Sequence, residues 1–155
     1  RKPLKAFGVI TGPRRWDAEL RCVFPQLWWP PIERGSFHAL PKILVVEDDA
    51  LIAMELGERL SDLGYEVLGP AHSISEAEAL LAREQPDGAL LDANLAHGAS
   101  SVPLAMELVA AGVRVAFCTG YDHVKNAPAE LSAAPVLTKP VSDAALKAAL
   151  EKLIA

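Results

Sequence analysis

From Lys42 onward the apolar positions switch back and forth between two spacings. Residues 43–46 (Ile-Leu-Val-Val) form a short continuous apolar run of strand character. Leu51, Ile52, Leu56, Leu60 and Leu63 then recur at helical spacing, which predicts a helix over residues 50–63 with that set facing inward. Asp49 is placed to cap its start and Gly64 to end it. Residues 66–68 predict a second strand. Ser73 or Ser75 caps the next helix, with Ala77, Leu80 and Leu81 inward. Pro86-Asp87-Gly88 turns into a third strand that ends at Asp92, and residues 94–101 are a polar, Gly-containing loop. A helix over residues 102–111 stops at Gly112, and residues 113–118 are the fourth strand. Residues 120–135 are irregular, with at most a short helix at 129–133. Residues 136–137 form a fifth, very short strand. Ser142 or Asp143 caps a last helix carrying Ala145, Leu146, Ala149, Leu150 and Leu153 on one face. Strands that alternate with helices imply right-handed βαβ crossovers and a parallel sheet.

The first 41 residues keep neither spacing for more than a few positions. They hold all three tryptophans (Trp16, Trp28, Trp29) and prolines at 3, 13, 25, 30, 31 and 41. The chain therefore divides into a Pro/Trp-rich extension, residues 1–41, poorly ordered or non-native, and a regular domain, residues 42–155. Charge divides at the same place. The extension carries seven Lys/Arg against three acids, and the domain eight against seventeen, so +4 faces −9. An acidic domain argues against direct nucleic-acid binding, since phosphate backbones are held by Lys and Arg. No run approaches the roughly 18 apolar residues of a membrane helix, and no basic-then-apolar leader opens the chain. Cys22 and Cys118 fit no disulfide or metal framework, and Cys118 reads as a small buried residue. A cytoplasmic location is the natural reading.

Four segments that follow strands carry the chemistry: Glu47-Asp48-Asp49, Asp92, Thr119 and Lys139. A parallel sheet gathers its strand ends at one edge, where α/β proteins bind ligands. Each residue has an ordinary reading by itself: a helix-starting acidic cluster, a turn cap, a strand Thr, a surface Lys. Gathered together they make a site for Mg²⁺ and a phosphoryl group. Crowded carboxylates call for a cation, Asp92 is a candidate nucleophile for an acyl phosphate, and the Lys139-Pro140 step suggests a defined turn with a cis bond. His72, His97 and His123 have no ligand spacing and read as loop or surface residues.

The stretches Lys42-Ile-Leu-Val-Val-Glu-Asp-Asp49, Leu90-Leu-Asp-Ala-Asn-Leu95, Phe117-Cys-Thr-Gly-Tyr121 and Leu137-Thr-Lys-Pro140 together resemble the receiver domain of two-component response regulators. The resemblance covers residues 42–155. It implies a flavodoxin-like (βα)5 fold with a five-stranded parallel sheet, order 2-1-3-4-5, and helices on both faces. It also implies roles. Asp92 would be the phosphoacceptor for a phosphohistidine on a histidine kinase or histidine phosphotransfer protein. Asp48, Asp92 and the Asn94 backbone carbonyl would hold Mg²⁺, with Glu47 reaching it through water. Thr119 and Lys139 would contact phosphoryl oxygens. Apart from its own phosphorylation and dephosphorylation such a domain is not an enzyme.

Receivers commonly carry Tyr or Phe three residues before the Lys; here Val136 stands there, so a switch built on that ring cannot operate. Phe117-Cys-Thr-Gly-Tyr121 is similar to the Phe-Ala-Thr-Gly-Tyr pattern of a receiver subgroup, many from alphaproteobacteria and often single-domain, in which the loop Tyr, here Tyr121, would report phosphorylation. The output would be protein–protein contact, through the last helix, the fifth strand and residues 120–135, as a stand-alone receiver, relay or phosphate sink. A homodimer is compatible with this, and no membrane contact is implied. Three rivals stand beside it: a receiver cut from a hybrid histidine kinase, a phosphorylation-independent binding module, and a metal-dependent phosphohydrolase. The last is disfavoured because Asn94 stands where such enzymes place a general acid. A dinucleotide-binding fold lacks its G-x-G-x-x-G.

Overall fold

A computed structural model of the chain describes residues 39–121, 124 and 127–155. The expected extension over residues 1–41 thus lies, apart from its last three residues, outside the described part. Five parallel strands, β1 (Lys42–Val46), β2 (Glu66–Ala71), β3 (Gly88–Asp92), β4 (Arg114–Thr119) and β5 (Val136–Thr138), form one sheet in the order β2-β1-β3-β4-β5. The helices are α1 (Ala50–Asp62), α2 (Ile74–Leu81), α3 (Val102–Ala110) and α4 (Asp143–Ile154). This is the flavodoxin-like order that the receiver resemblance implies.

Both faces of the sheet are covered, so the interiors of its central strands, residues 43–46, 88–91 and 115–118, are apolar on successive residues rather than alternately. Ile43 and Val45 of β1, Leu90 of β3, and Ala116 and Cys118 of β4 pack with Leu56 and Leu60 of α1 and Leu146 and Leu150 of α4. The intervening residues, Leu44, Val46, Leu91, Val115 and Phe117, turn to the other face, against Ala77 of α2 and Leu104 and Leu108 of α3. The strand period of two thus assigns each helix pair its own core.

The caps explain where the helices begin. The Asp49 carboxylate accepts from the Leu51 and Ile52 amides at 2.9 and 3.2 Å, Ser73 Oγ accepts from Glu76 N at 3.2 Å, and Ser142 Oγ accepts from Ala145 N at 3.2 Å. Gly64 and Gly112 end α1 and α3 with φ of 85° and 83°, the left-handed conformation that favours glycine.

Four expectations are corrected. Leu51 and Leu63 are not on the inward face of α1: Leu51 is 73% and Leu63 40% exposed, and Ala53 is buried with Leu56 and Leu60 instead. Leu51 stands nine residues before Leu60, about half a turn out of phase with that face, and Leu63 is in phase but lies at the C-cap, past the end of the helix. Ala145 of α4 is likewise exposed. The second strand runs on to Ala71 through Gly69 and Pro70. Pro70 is tolerated on this edge strand because the β1–β2 register shifts between Leu44 and Val46, which leaves β2 with an extra residue there. Gly69 is required there: φ is 102°, and a Cβ would lie 2.7 Å from the Ala71 nitrogen. Finally, the (βα)5 expectation of a fifth α-helix fails among the described residues. Between β4 and β5 the described residues form one 3₁₀ turn, Ala129–Leu131. Pro128 and Pro135 bound that segment, and the backbone before each proline is steered away from helix.

One buried hydroxyl lacks a partner among the described residues. Ser101 is fully buried, its Oγ makes no hydrogen bond among the described residues, and its φ/ψ of −83°/0° does not let it cap α3. Ser100 Oγ accepts from the Val102 amide instead. Ser101→Ala is therefore expected to raise stability by about 1 kcal/mol, since it deletes a desolvated, unpaired hydroxyl. Urea unfolding measures this, and a loss of similar size would show that the hydroxyl has a partner.

Candidate functional site

Register brings the site together. The β1–β3 ladder pairs Val46 with Leu91, so the next residues, Glu47 and Asp92, emerge side by side at the sheet's C-terminal edge. Beyond Val46 the Glu47 amide donates to the Ala71 carbonyl at 2.9 Å, which anchors it to the end of β2. In the β3–β4 ladder Asp92 pairs with Cys118, which brings Thr119 alongside. In the β4–β5 ladder Thr119 pairs with Thr138, and the Lys139 amide donates to the Thr119 carbonyl at 2.8 Å. Lys139 is thereby aimed back across the edge, ahead of a cis Lys139–Pro140 bond.

The side chains meet. Lys139 Nζ donates to Glu47 Oε2 and to Asp92 Oδ2, both at 2.7 Å. Glu47 is 1% and Asp92 7% exposed. Carboxylate oxygens of Glu47, Asp48 and Asp92 all lie within 4.8 Å of one another. Asp49, the fourth acid, is spent on the α1 cap. Asn94 begins the β3–α3 loop, and its amide donates to Asp92 Oδ1 at 2.9 Å. Thr119 is fully buried, and its Oγ1 accepts from the Tyr121 amide at 3.2 Å. Tyr121 is 54% exposed on the following loop, and Val136 is 40% exposed on β5.

Three carboxylates thus cluster beside one ammonium, which bonds two of them, Glu47 and Asp92. Burial, reinforced by the neighbouring Asp92, pushes the Glu47 carboxyl above its ordinary range, and the Lys139 hydrogen bond only partly opposes this. Burial also pulls Lys139 down, but its bonds to Asp92 and Glu47 outweigh that and hold the ammonium above its usual value. The cluster keeps an excess of negative charge that a divalent cation would offset, and an all-oxygen donor set of this kind suits Mg²⁺. Cys118 lies beside these groups, but burial pushes its thiol up to about 12, so it stays protonated and is no competing nucleophile.

Sequence reasoning missed some supports. His72 is exposed, yet its Nδ1 lies 3.0 Å from the Glu47 carbonyl. Arg59 of α1 pairs with Asp143 at the start of α4, at 2.7 Å, and lines a cavity of about 380 Å³ with Lys139. Neither belongs to a recognisable motif; both are brought in by topology. His97 lies in the β3–α3 loop with φ of 59°, away from any ligand set, and His123 lies outside the described residues.

The comparisons with known proteins agree with the fold. Residues 43–151 match the family described as response regulator receiver domain. The chain belongs to that family. Among solved structures, SdrG from Sphingomonas melonis Fr1 is 33% identical with a TM-score of 0.64, covering 75% of this chain and 98% of that one. The response regulator PhyR from Brucella abortus is 29% identical with a TM-score of 0.63, covering 74% of this chain and 48% of that one. Among curated proteins, the sensory transduction protein LytR of Streptococcus mutans is 30% identical over 72% of this chain and 47% of its own length. The transcriptional regulatory protein PdtaR of Mycobacterium tuberculosis is 40% identical over 37% of this chain and 28% of its own. The chain thus spans less than half the length of these curated relatives. It is a receiver and a signalling protein of the two-component type, and its relatives are regulators. Among the described residues no helix is long and apolar enough to cross a membrane.

Proposed function

We propose that this receiver is a phosphoacceptor switch in which Asp92 takes a phosphoryl group from a phosphohistidine, on a histidine kinase or a histidine phosphotransfer protein. The observation that carries this reading is the Asp92 carboxylate at the end of β3, bonded to Lys139 and clustered with Glu47 and Asp48. The Asp92 carboxylate attacks phosphorus, the O–P bond forms as the P–N bond to the donor imidazole breaks, and the imidazole leaves with the bonding pair. Such a transfer depends on in-line positioning and on charge neutralisation more than on acid–base help. The Asn94 N–H and the Lys139 ammonium fix the carboxylate's orientation from its two oxygens. Lys139, held protonated, exchanges a carboxylate oxygen for one on the arriving phosphoryl group.

Asp48, Asp92 and the Asn94 backbone carbonyl would hold Mg²⁺, with Glu47 acting through water. When bound, the ion supplies positive charge against the phosphoryl oxygens. The Thr119 hydroxyl already accepts from the Tyr121 amide, which leaves its own proton to donate. Drawing Thr119 onto a phosphoryl oxygen weakens its hold on that amide, so Tyr121 and the loop that follows rearrange. Tyr121 is the reporter in place of the absent ring at Val136, as in the Phe-Ala-Thr-Gly-Tyr receivers. The output is altered contact with a downstream protein.

Beryllofluoride, which mimics an acyl phosphate, tests the reading in ¹⁵N-labelled protein with Mg²⁺. New slow-exchange peaks are expected for the Asp92, Asn94, Thr119, Tyr121 and Lys139 amides, and none in Asp92→Asn. A spectrum that stays unchanged while a control receiver responds would contradict it.

A further inference from the structure

A second surface lies on the flank of α1 that faces away from Lys139. Ile52, Glu55 and Arg59 of α1 line the Lys139 side. On the other flank, Ala50, Ala53, Met54 and Gly57 form one wall of a groove, and Val67 and Pro70 of β2 form the other. The groove encloses about 660 Å³ and is mainly apolar. Met54 is 57% exposed beside it, and an exposed thioether chain suits a surface that adapts to a partner.

Two features of this groove are unfavourable for the domain alone. The first is Gly57. It sits in the middle of α1, where glycine weakens a helix relative to alanine. Its φ is not in the left-handed region, and a Cβ there would meet nothing within 4 Å. No neighbour in the domain therefore requires a glycine. The second is the charge on the groove's rim. Glu58 and Asp62 both line it, and they stand four residues apart on one helix, where like charges repel. Asp62 is also the last residue of α1, at the negative end of the helix dipole. Among the described residues neither acid has an ion pair. Both features would be offset by one occupant, an apolar segment that approaches closely over Gly57 and carries cations to Glu58 and Asp62.

We propose that the α1–β2 groove is a docking site for an amphipathic helix of another protein, with small apolar residues facing Gly57 and Lys or Arg reaching Glu58 and Asp62. A helix is favoured over an added strand because the Gly69–Pro70 step and the register shift beside it break the regular edge of β2. A second copy of this chain is disfavoured because an isologous contact would bring two acidic rims together. Gly57, Glu58 and Asp62 take no part in the phosphoacceptor cluster, and the groove approaches it only through Ala50 and His72, so the proposal is tested independently of the chemistry at Asp92.

The probe is a synthetic helical peptide with Leu and Ala on one face and Arg at two positions one turn apart, titrated into the ¹⁵N-labelled full chain. Shifts are expected to centre on Ala53, Met54, Gly57 and Val67. Gly57→Gln fills the open space with a better helix former, so the fold is retained; it should weaken binding at least tenfold while leaving phosphoryl uptake unchanged. Glu58→Gln with Asp62→Asn should weaken binding and flatten its salt dependence. The proposal is overturned if no saturable shift occurs up to millimolar peptide, if the shifts centre on Glu47 and Asp92, or if Gly57→Gln binds equally well. Equal binding of a peptide with its Leu replaced by Ser would also overturn it, by reducing the contact to charge alone. Concentration-dependent shifts at the groove without peptide would overturn it in favour of self-association.

Discussion

Lys139→Met is expected to destabilise the fold by about 3 kcal/mol at pH 7. Breaking a buried ion pair by removing one partner costs roughly 3–5 kcal/mol, because the remaining charge stays desolvated. Here the ammonium serves two carboxylates at 2.7 Å, and its own partial exposure of 22% places the expectation at the lower end. The pH dependence follows from Glu47. Its carboxyl is already held above the ordinary range, first by burial and then by Asp92, with Lys139 opposing. In the variant that opposition is gone and the folded-state value rises further. A carboxyl raised on folding keeps a proton that the unfolded chain has released, so stability falls as pH climbs from the usual Glu range through the raised value. The deficit of Lys139→Met should therefore be largest at neutral pH and shrink in acid. In the wild type the Lys139 contribution has the complementary window: it is fully present below the usual lysine value and is lost as pH rises through the raised one. Urea unfolding of both proteins across pH tests this, and a deficit that is flat or grows toward acid would contradict it.

Mg²⁺ should have the second large effect. Three carboxylates within 4.8 Å of one another with one ammonium between them are a strained arrangement that a divalent ion relieves. An ion that binds only the folded state stabilises it by about 2.7 kcal/mol when present at a hundred times its dissociation constant. Thermal unfolding should therefore shift upward with Mg²⁺ and saturate. Asp48→Asn should remove most of the shift without lowering stability in the absence of Mg²⁺, since Asp48 is half-buried and pairs with no cation among the described residues. A Mg²⁺ response that survives Asp48→Asn would move the ion away from this cluster.

The parts of the molecule that were legible in the sequence share a cause. Glu47, Asp92, Thr119 and Lys139 each end or follow a strand, and a parallel sheet places strand ends on one edge whatever happens between them. Reading the strands was therefore enough to gather the residues, and the register pairs Val46 with Leu91 and Thr119 with Thr138 as that requires. The pieces that misled depend on phase or on coverage. Leu51 stands nine residues before Leu60, about half a turn out of phase with the buried face of α1, and it is 73% exposed. Gly69-Pro70 has the composition of a turn, yet an edge strand accepts it. That residues 129–134 hold only a 3₁₀ turn was half visible, since Pro128 and Pro135 leave little room there for a helix. The α1–β2 groove was not visible at all, because Gly57 looks like any tolerated helix glycine until its surroundings are known.

The most direct test of the central claim is the intact mass of the chain after incubation with acetyl phosphate, with and without Mg²⁺, for wild type and Asp92→Asn. The account predicts a single adduct of about 80 Da that needs Mg²⁺ and is absent from Asp92→Asn. An adduct that persists in Asp92→Asn, or no adduct on wild type while a control receiver is labelled, would contradict the assignment of Asp92 as the phosphoacceptor.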